Sequence, residues 1–140
     1  MANSRADLAA SNDKKARALG ATGKYAEAAV FNTLALSDYR KLAETDPEAF
    51  TPYLVASLNN LANTLSKLGR HEEALTAAQE ASAFYRDLAR VRPEAFTPDT
   101  ATSLNNLAGL LESQGDYAGA RPLYERSLAI MEKALGAEHP

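Results

Sequence analysis

Apolar residues recur along most of the chain at steps of three and four, the spacing that gathers them on one face of an α-helix. The clearest stripe is a row of five leucines that ends just before Gly69: Leu54, Leu58, Leu61, Leu65 and Leu68. A second helix is indicated from about Glu72 to Val91, where apolar residues step in the same way. The pattern therefore predicts helices along the chain and no strand.

The chain also repeats itself at a fixed spacing of 46 residues. The segment Glu48–Pro52 returns as Glu94–Pro98, and Ser57–Ala62 returns as Ser103–Ala108. The same spacing separates three glycines, Gly23, Gly69 and Gly115. A fixed period of this size is typical of repeat proteins. We expect a single array over residues 1–140 with three helical hairpins: repeat 1 about 4–46, repeat 2 about 51–92 and repeat 3 about 97–136.

Short signals indicate where these helices begin and end. Thr51 is a good N-cap, Pro52 suits the first helical position, and Phe50 is placed to pack on Val55 as a hydrophobic staple. Gly69 closes the helix because glycine tolerates positive φ. The same reasoning predicts helix starts at Ser4 and at Thr97-Pro98. It also predicts a helix end at Asp46-Pro47 and a break of the last helix at Gly136.

These residues resemble the tetratricopeptide repeat. In repeat 3 the resemblance is carried by Leu104, Leu107-Ala108, Leu111, Gly115, Tyr117, Ala120, Tyr124 and Leu128. Repeat 2 has His71 where the family prefers tyrosine, and repeat 1 has Lys15-Ala16 where Leu-Ala is expected. The long period, the Leu-Asn-Asn-Leu-Ala segment and the Glu-His-Pro ending are similar to the kinesin-light-chain subtype, which is widespread in bacterial arrays. The resemblance implies an all-α, right-handed α-solenoid that acts as a non-catalytic protein-interaction module.

In such an array, the first helix of each repeat lines a concave groove, so its polar positions are the candidate peptide-binding residues. With the repeats aligned at a spacing of 46, these are Lys14, Arg17, Asn59, Asn60, Asn63, Asn105 and Asn106. An asparagine side chain both donates and accepts hydrogen bonds and could hold a peptide backbone. Lys14 and Arg17 would attract an acidic side chain or a terminal carboxylate. Alternatively, the asparagines only fix the geometry between repeats, and the two cations are a solvated face.

Composition and charge narrow the classes of partner. The chain is 46% hydrophobic and 24% charged, and contains no cysteine. No apolar run approaches the ~20 residues of a membrane span. Residues 1–24 carry a net charge of +3 and residues 71–140 one of −5, whereas a nucleic-acid-binding domain is usually basic throughout. We expect a cytoplasmic protein whose partner is a protein or peptide that carries acidic groups. We expect no nucleic-acid or membrane partner.

Catalytic chemistry has little support in the sequence. His71 and His139 are the only histidines, and their spacing suggests no metal pair. No phosphate-binding glycine loop or nucleophile motif occurs, so we expect neither an enzyme nor a bound cofactor or metal. A rival hypothesis is a structural role. Leu128, Met131 and Leu135 form a stripe with no following helix to cover it, which indicates either a piece of a longer array or self-association through this helix.

Overall fold

The computed structural model describes the backbone of residues 2–138 and the side chains of residues 4–92 and 100–133. This part of the chain contains no strand and folds into six consecutive α-helices, which confirms the predicted all-α class. The helices are α1 (Ala2–Ala21), α2 (Tyr25–Thr45), α3 (Pro47–Lys67), α4 (His71–Val91), α5 (Pro93–Ser113) and α6 (Tyr117–Glu138). Within the described residues, no helix is both long enough and apolar enough to span a membrane.

The three glycines spaced 46 residues apart make the same turn between helices. Gly23, Gly69 and Gly115 have φ angles of 80°, 79° and 83°, a left-handed conformation that glycine adopts without a Cβ penalty. At Gly69 the turn is closed by two backbone hydrogen bonds, from Gly69 N to Ser66 O at 3.0 Å and from Arg70 N to Leu65 O at 2.9 Å. This is the Schellman ending of a helix. The repeat thus reappears as a repeated backbone geometry.

The chain divides into two compact units, Met1–Ala77 and Ala78–Pro140, here called the N-terminal and C-terminal units. In the N-terminal unit, α2 packs against both α1 and α3. Its core joins small residues of α1 and α2 to larger ones of α2 and α3: Ala9, Ala16, Ala28, Ala35, Tyr39, Leu42, Leu54, Val55, Leu58, Ala62 and Leu65. Small residues on α1 and α2 let these two helices approach closely.

In the C-terminal unit, α5 packs against α6. Two buried hydroxyls add hydrogen bonds between helices: Ser127 Oγ of α6 donates to Ala101 O of α5 at 3.0 Å, and Thr100 Oγ1 of α5 donates to Tyr85 O of α4 at 3.1 Å. The core again contains alanines and leucines: Ala78, Ala81, Ala101, Leu104, Leu107, Ala108, Leu110 and Ala120. Val91, expected on the apolar face of α4, is instead 77% exposed.

The helix start predicted at Thr51-Pro52 is wrong. α3 begins at Pro47, where the Asp46 side chain accepts a hydrogen bond from Ala49 N at 3.3 Å. Thr51 is buried, and Pro52 lies inside the helix. The reason is that Asp46-Pro47 carries the same signals as Thr51-Pro52, a strong N-cap followed by a proline at the first position. Asp46-Pro47 ends α2 as predicted, with Asp46 as the C-cap, and the same two residues also begin α3.

The first helix of repeat 3 also begins earlier than predicted, and Phe50 does not have its predicted role. α5 begins at Pro93 rather than at Thr97-Pro98, whose side chains lie outside the described residues. Phe50 does not act as a staple before an N-cap, because it lies within α3, where its ring centroid is 6.5 Å from that of Tyr53.

Both ends of the helical array also differ from expectation. α1 begins at Ala2, so Ser4 lies inside the helix instead of capping it. α6 continues through Gly136 to Glu138, so this glycine does not end the helix. Leu128 and Met131 are 59% and 46% exposed, as expected for an uncovered stripe, whereas the side chain of Leu135 lies outside the described residues.

Candidate functional site

A cleft in the N-terminal unit brings together several of the residues predicted to bind peptide. It has a volume of about 260 Å³ and is bounded by α1, α2 and α3. We call it the N-terminal cleft, and its lining residues are Ala16, Arg17, Gly20, Tyr25, Asn32, Asn60, Asn63, Thr64 and Lys67. The α3 residues share one helix face because they recur at steps of three and four. Arg17, Asn60 and Asn63 are thus predicted site residues that meet in one place.

The floor of the N-terminal cleft contains two linked hydrogen bonds, one between α2 and α3 and one within α3. Asn32 Nδ2 donates to Thr64 Oγ1 at 2.9 Å, and Thr64 Oγ1 donates to Asn60 O at 2.9 Å. Since the Thr64 hydroxyl proton is used on Asn60 O, its oxygen must act as the acceptor toward α2. This fixes the orientation of the Asn32 amide, whose NH₂ group has to face Thr64.

The other end of that amide is left without a partner. Asn32 is 2% exposed, and its Oδ1 has no hydrogen-bond partner in the described structure. Buried polar atoms are nearly always hydrogen-bonded, so an exception calls for an explanation. Asn32 is one of the residues that line the N-terminal cleft, so this buried, unpartnered acceptor lies beside the cleft.

The rim of the cleft is positively charged. Arg17 and Lys67 are exposed, and the lining contains no carboxylate. Arg17 Nε lies 3.6 Å from Asp13 Oδ2, but the Arg17 side chain is 66% exposed, and exposed pairs of this kind stabilise little. Both cations therefore remain available to an anionic group of a ligand.

The other predicted site residues do not line this cleft. Lys14 is exposed on α1, and Asn59 is half-buried on α3 with its Oδ1 lacking a hydrogen-bond partner. Asn105 is exposed and Asn106 half-buried on α5, in the C-terminal unit. Their role in binding remains a prediction.

Four further residues line the cleft that were not predicted from the sequence: Tyr25, Asn32, Thr64 and Lys67. A signal for Asn32 was present, because the positions 46 and 92 residues further on hold Ala78 and Tyr124. An asparagine at a buried position that other repeats fill with an apolar or aromatic residue indicates a special role. No comparable signal marks Lys67, which reads as an ordinary basic residue in the last turn of α3.

The chemistry offered by the N-terminal cleft is binding by hydrogen bonds and charge. Its lining combines two cations, three amides and two hydroxyls. In the described part of the chain, no group of three or more His, Asp or Glu side chains is placed to hold a metal ion. These groups suit the recognition of a polar chain with an acidic group.

Comparison with known structures shows the same fold in three proteins. BtubC (BKLC) from P. vanneervenii superposes with a TM-score of 0.81 at 19% identity, over 94% of this chain and 49% of BtubC. The tetratricopeptide repeat domain of Arabidopsis FLU gives 0.74 at 16% identity, over 92% and 98% of the two chains. The N-terminal domain of stress-induced protein-1 from C. elegans gives 0.63 at 19% identity, over 97% and 98%. The chain thus spans about half the length of BtubC.

Sequence comparison gives the family. No curated protein matches the chain. The family model described as tetratricopeptide repeat matches residues 54–89 and 100–140, more than half of the sequence. Together with the structural similarity to BtubC and FLU, this match confirms the resemblance to the tetratricopeptide repeat. The chain belongs to the tetratricopeptide repeat family.

Proposed function

We propose that this chain is a non-catalytic interaction module that binds an extended peptide segment of a partner protein in the N-terminal cleft. Tetratricopeptide repeats in general form protein–protein interaction modules, and the family is typically non-catalytic. The observation that carries the proposal is the unpartnered Asn32 Oδ1 at the floor of a cleft whose rim holds Arg17 and Lys67. A buried acceptor beside two cations matches a backbone N–H followed by a carboxylate.

The remaining lining groups extend this match. The side-chain amides of Asn60 and Asn63 can donate to peptide carbonyls and accept from peptide N–H groups. In the described part of the chain, these two amides make no hydrogen bond to a neighbouring helix, so their donors are available to a ligand. The cleft is formed by packed helices before the ligand arrives, which limits the ordering cost of binding.

The partner segment is acidic, because the groups at the rim are cationic. Charge-assisted hydrogen bonds from Arg17 to a carboxylate are stronger than neutral ones, and Lys67 adds a second positive charge. Lys14, Asn59, Asn105 and Asn106 would contact further residues of a longer segment. A cytoplasmic location agrees with a chain that contains no cysteine, and a nucleic acid is disfavoured by the net charge of −3.

Peptides selected from a random display library against the whole chain provide a direct test. For the selected peptides we expect enrichment of Asp or Glu, and roughly tenfold weaker binding to Arg17→Ala and Asn63→Ala, measured by fluorescence anisotropy. Both side chains are exposed, so thermal unfolding of the variants should match that of the wild type. Lys41→Ala, which removes an exposed cation of α2 outside the cleft, is the matched control.

Two results would reject the proposal. One is a set of selected peptides that bind Arg17→Ala, Asn63→Ala and wild-type protein equally well. The other is loss of helicity in both variants, because that would make these residues structural. Asn106→Ala, tested in parallel, reports whether the bound segment reaches α5.

Self-association through α6 is the second candidate function, and the exposed face of α6 favours it. Tyr124, Leu128 and Met131 are 38%, 59% and 46% exposed. The corresponding residues of α2, 92 positions earlier, are Asn32, Leu36 and Tyr39, and all are buried. Because α2 packs on α3, this face of the repeat is one on which another helix docks. We infer that the α6 of a second copy covers it.

A further inference from the structure

A second cleft lies in the C-terminal unit, bounded by α4, α5 and α6, and has a volume of about 230 Å³. We call it the C-terminal cleft. From α4 it is lined by Gln79, Ser82 and Arg86, which share one helix face because they recur at steps of three and four. From α6, Arg126 contributes a second guanidinium group, and the described lining contains no carboxylate. One part of the lining is therefore polar and positively charged.

The two arginines of the C-terminal cleft have no counter-charge. Arg86 and Arg126 are exposed, and in the described part of the chain neither side chain has an ion-pair or hydrogen-bond partner. Because both line the same small cleft, an anion bound there can reach both of them. Such an anion would also relieve the repulsion between two like charges.

The acids that neighbour these arginines in sequence are engaged elsewhere. Asp87 Oδ1 lies 3.9 Å from Arg90 Nη1 on α4, and Glu125 Oε1 lies 3.3 Å from Arg121 Nε on α6. Neither acid neutralises the cleft, so its positive charge is open to a ligand.

The repeat itself does not require two positive charges at these positions. One repeat earlier, 46 positions before, the corresponding residues are Arg40 and Glu80, which have opposite signs. In the first repeat, position 126 corresponds to Leu34. The like signs of Arg86 and Arg126 are thus a feature of this repeat and not of the repeat architecture.

The floor of the C-terminal cleft is aliphatic. Leu104 and Leu107 of α5 are 3% and 7% exposed, and Leu123 of α6 is half-buried. An apolar cavity of ~150 Å³ suffices to bind benzene, so the C-terminal cleft can hold a hydrocarbon group of about six carbons. The buried Thr100 donates its hydroxyl proton to Tyr85 O, so it offers no free donor to a polar group at this end. The floor suits hydrocarbon and would leave the amide groups of a peptide backbone poorly satisfied.

We propose that the C-terminal cleft binds a small phosphate monoester whose alcohol part is a short aliphatic group. The phosphate would lie between Arg86 and Arg126, and the aliphatic group would lie on Leu104, Leu107 and Leu123. A phosphate dianion balances both positive charges, and its three terminal oxygens can accept hydrogen bonds from two guanidinium groups at once. Because the ligand would contact α4, α5 and α6 together, it would stabilise the C-terminal unit. This site shares no residue with the N-terminal cleft, so it operates whether or not that cleft binds peptide.

n-Hexyl phosphate is the probe that tests this site, titrated into the whole chain with ¹³C-labelled leucine methyl groups. We expect shifts at the methyl groups of Leu104, Leu107 and Leu123, with Leu58 of the N-terminal core as an unaffected reference. n-Hexanol, which lacks the charge, and methyl phosphate, which lacks the chain, should each bind at least about tenfold more weakly. Equal binding of n-hexanol, or no response of the three leucines, would overturn the proposal.

The dependence on pH tests the requirement for a dianion. Binding of n-hexyl phosphate should strengthen from about pH 5 to about pH 8, because a phosphate monoester loses its second proton at about pH 6. n-Hexyl sulfate keeps a single charge over this range and should bind with constant affinity, since the described lining holds no group that titrates there. Parallel pH profiles for the two ligands would contradict a phosphate site.

The length of the chain distinguishes a bounded cleft from a greasy surface. From methyl to hexyl phosphate, affinity should rise by up to about fourfold for each added methylene group. The gain should stop beyond about eight carbons, because the cleft is then full. A gain that continues to dodecyl phosphate would show adsorption to exposed apolar surface and would count against the cleft.

Variants of the two arginines complete the experiment. Arg126→Glu installs the residue of the preceding repeat and should abolish the response of the three leucines, while the melting temperature of the free protein stays unchanged because the side chain is exposed. Arg86→Gln should weaken n-hexyl phosphate at least about tenfold. Lys133→Gln removes an exposed cation of α6 outside the cleft and is the matched control. Wild-type affinity in Arg126→Glu and Arg86→Gln, or an equal loss in Lys133→Gln, would reject the assignment.

Discussion

The side chain of Asn32 on α2 donates a hydrogen bond of 2.9 Å to Thr64 Oγ1 on α3. This bond joins two neighbouring repeats, and it leaves the buried Oδ1 of Asn32, a residue that lines the N-terminal cleft, without a partner. The same pair of residues therefore contributes to the stability of the fold and to the chemistry of the candidate site. The two contributions can be separated by mutation.

Thr64→Val should lower the free energy of unfolding by about 1–3 kcal/mol, because it leaves the buried Asn32 NH₂ group without an acceptor. Combining it with Asn32→Leu replaces both polar partners by apolar groups, which is close to neutral when the shape is kept. The double variant should therefore recover at least half of the loss, as measured by urea unfolding. Its affinity for the selected peptides should nevertheless stay below that of the wild type, because it lacks the Oδ1 acceptor. Additive losses in the double variant would show that the bond contributes no coupling.

Gly23→Ala and Gly20→Ala should have opposite effects on stability, although the two glycines are three residues apart. Gly23 has a φ of 80°, and an alanine in the left-handed region costs about 1–2 kcal/mol. Gly20 lies in α1 with open space where a Cβ would be placed, so alanine there should stabilise by about 0.5–1 kcal/mol. Thermal unfolding of the two variants measures both changes. A loss of stability in Gly20→Ala would contradict this account of the turn.

Stability should fall as the pH rises above 10, in part because of Tyr39. Burial raises the pKa of Tyr39 above its usual value of 10.0, with a further contribution from the Asp13 charge. The folded state then holds the phenolic proton at a pH where the unfolded chain has lost it, so the slope of stability with pH is negative above 10. Tyr39→Phe should reduce this slope. Tyr53→Phe, at a 57% exposed position stacked on Tyr39, should leave a steeper slope than Tyr39→Phe does.

If α6 mediates self-association, Leu128→Glu should convert an oligomer into a monomer, because it places a carboxylate at the centre of an apolar face. Light scattering across a concentration series gives the molar mass. Val30→Glu makes the same change at a 57% exposed position of α2 and should leave the molar mass unchanged. A wild-type chain that stays monomeric at all concentrations would eliminate this second function.

The three glycine turns show what could be read directly from the sequence. Gly23, Gly69 and Gly115 were predicted as helix ends from their spacing, and all three adopt positive φ. This worked because the requirement is local: without a Cβ, only glycine reaches this conformation cheaply. The prediction of a helix from the leucines of α3 was confirmed for a similar reason, because apolar residues spaced by three and four lie on one helix face and can be buried together.

The start of α3 shows where local signals were insufficient. Asp46-Pro47 and Thr51-Pro52 both look like a cap followed by a first helical residue, and the small preference for Asp over Thr at an N-cap does not decide between them. In the structure, Thr51 is buried and the Tyr53 ring stacks on Tyr39 of α2 with centroids 5.6 Å apart. Contacts between α2 and α3 thus accompany the earlier start, and such contacts link residues far apart in the chain.

The candidate site was likewise predicted only in part from the sequence. The sequence by itself determined the repeat, its helices and turns, and the polar positions Arg17, Asn60 and Asn63, because each follows from a spacing or a residue type. Only the tertiary structure decided that these three meet beside Asn32 and Lys67, and that one buried amide oxygen is left unpaired there. Whether a polar atom finds a partner depends on three helices packing together, and no periodicity along a single helix encodes that.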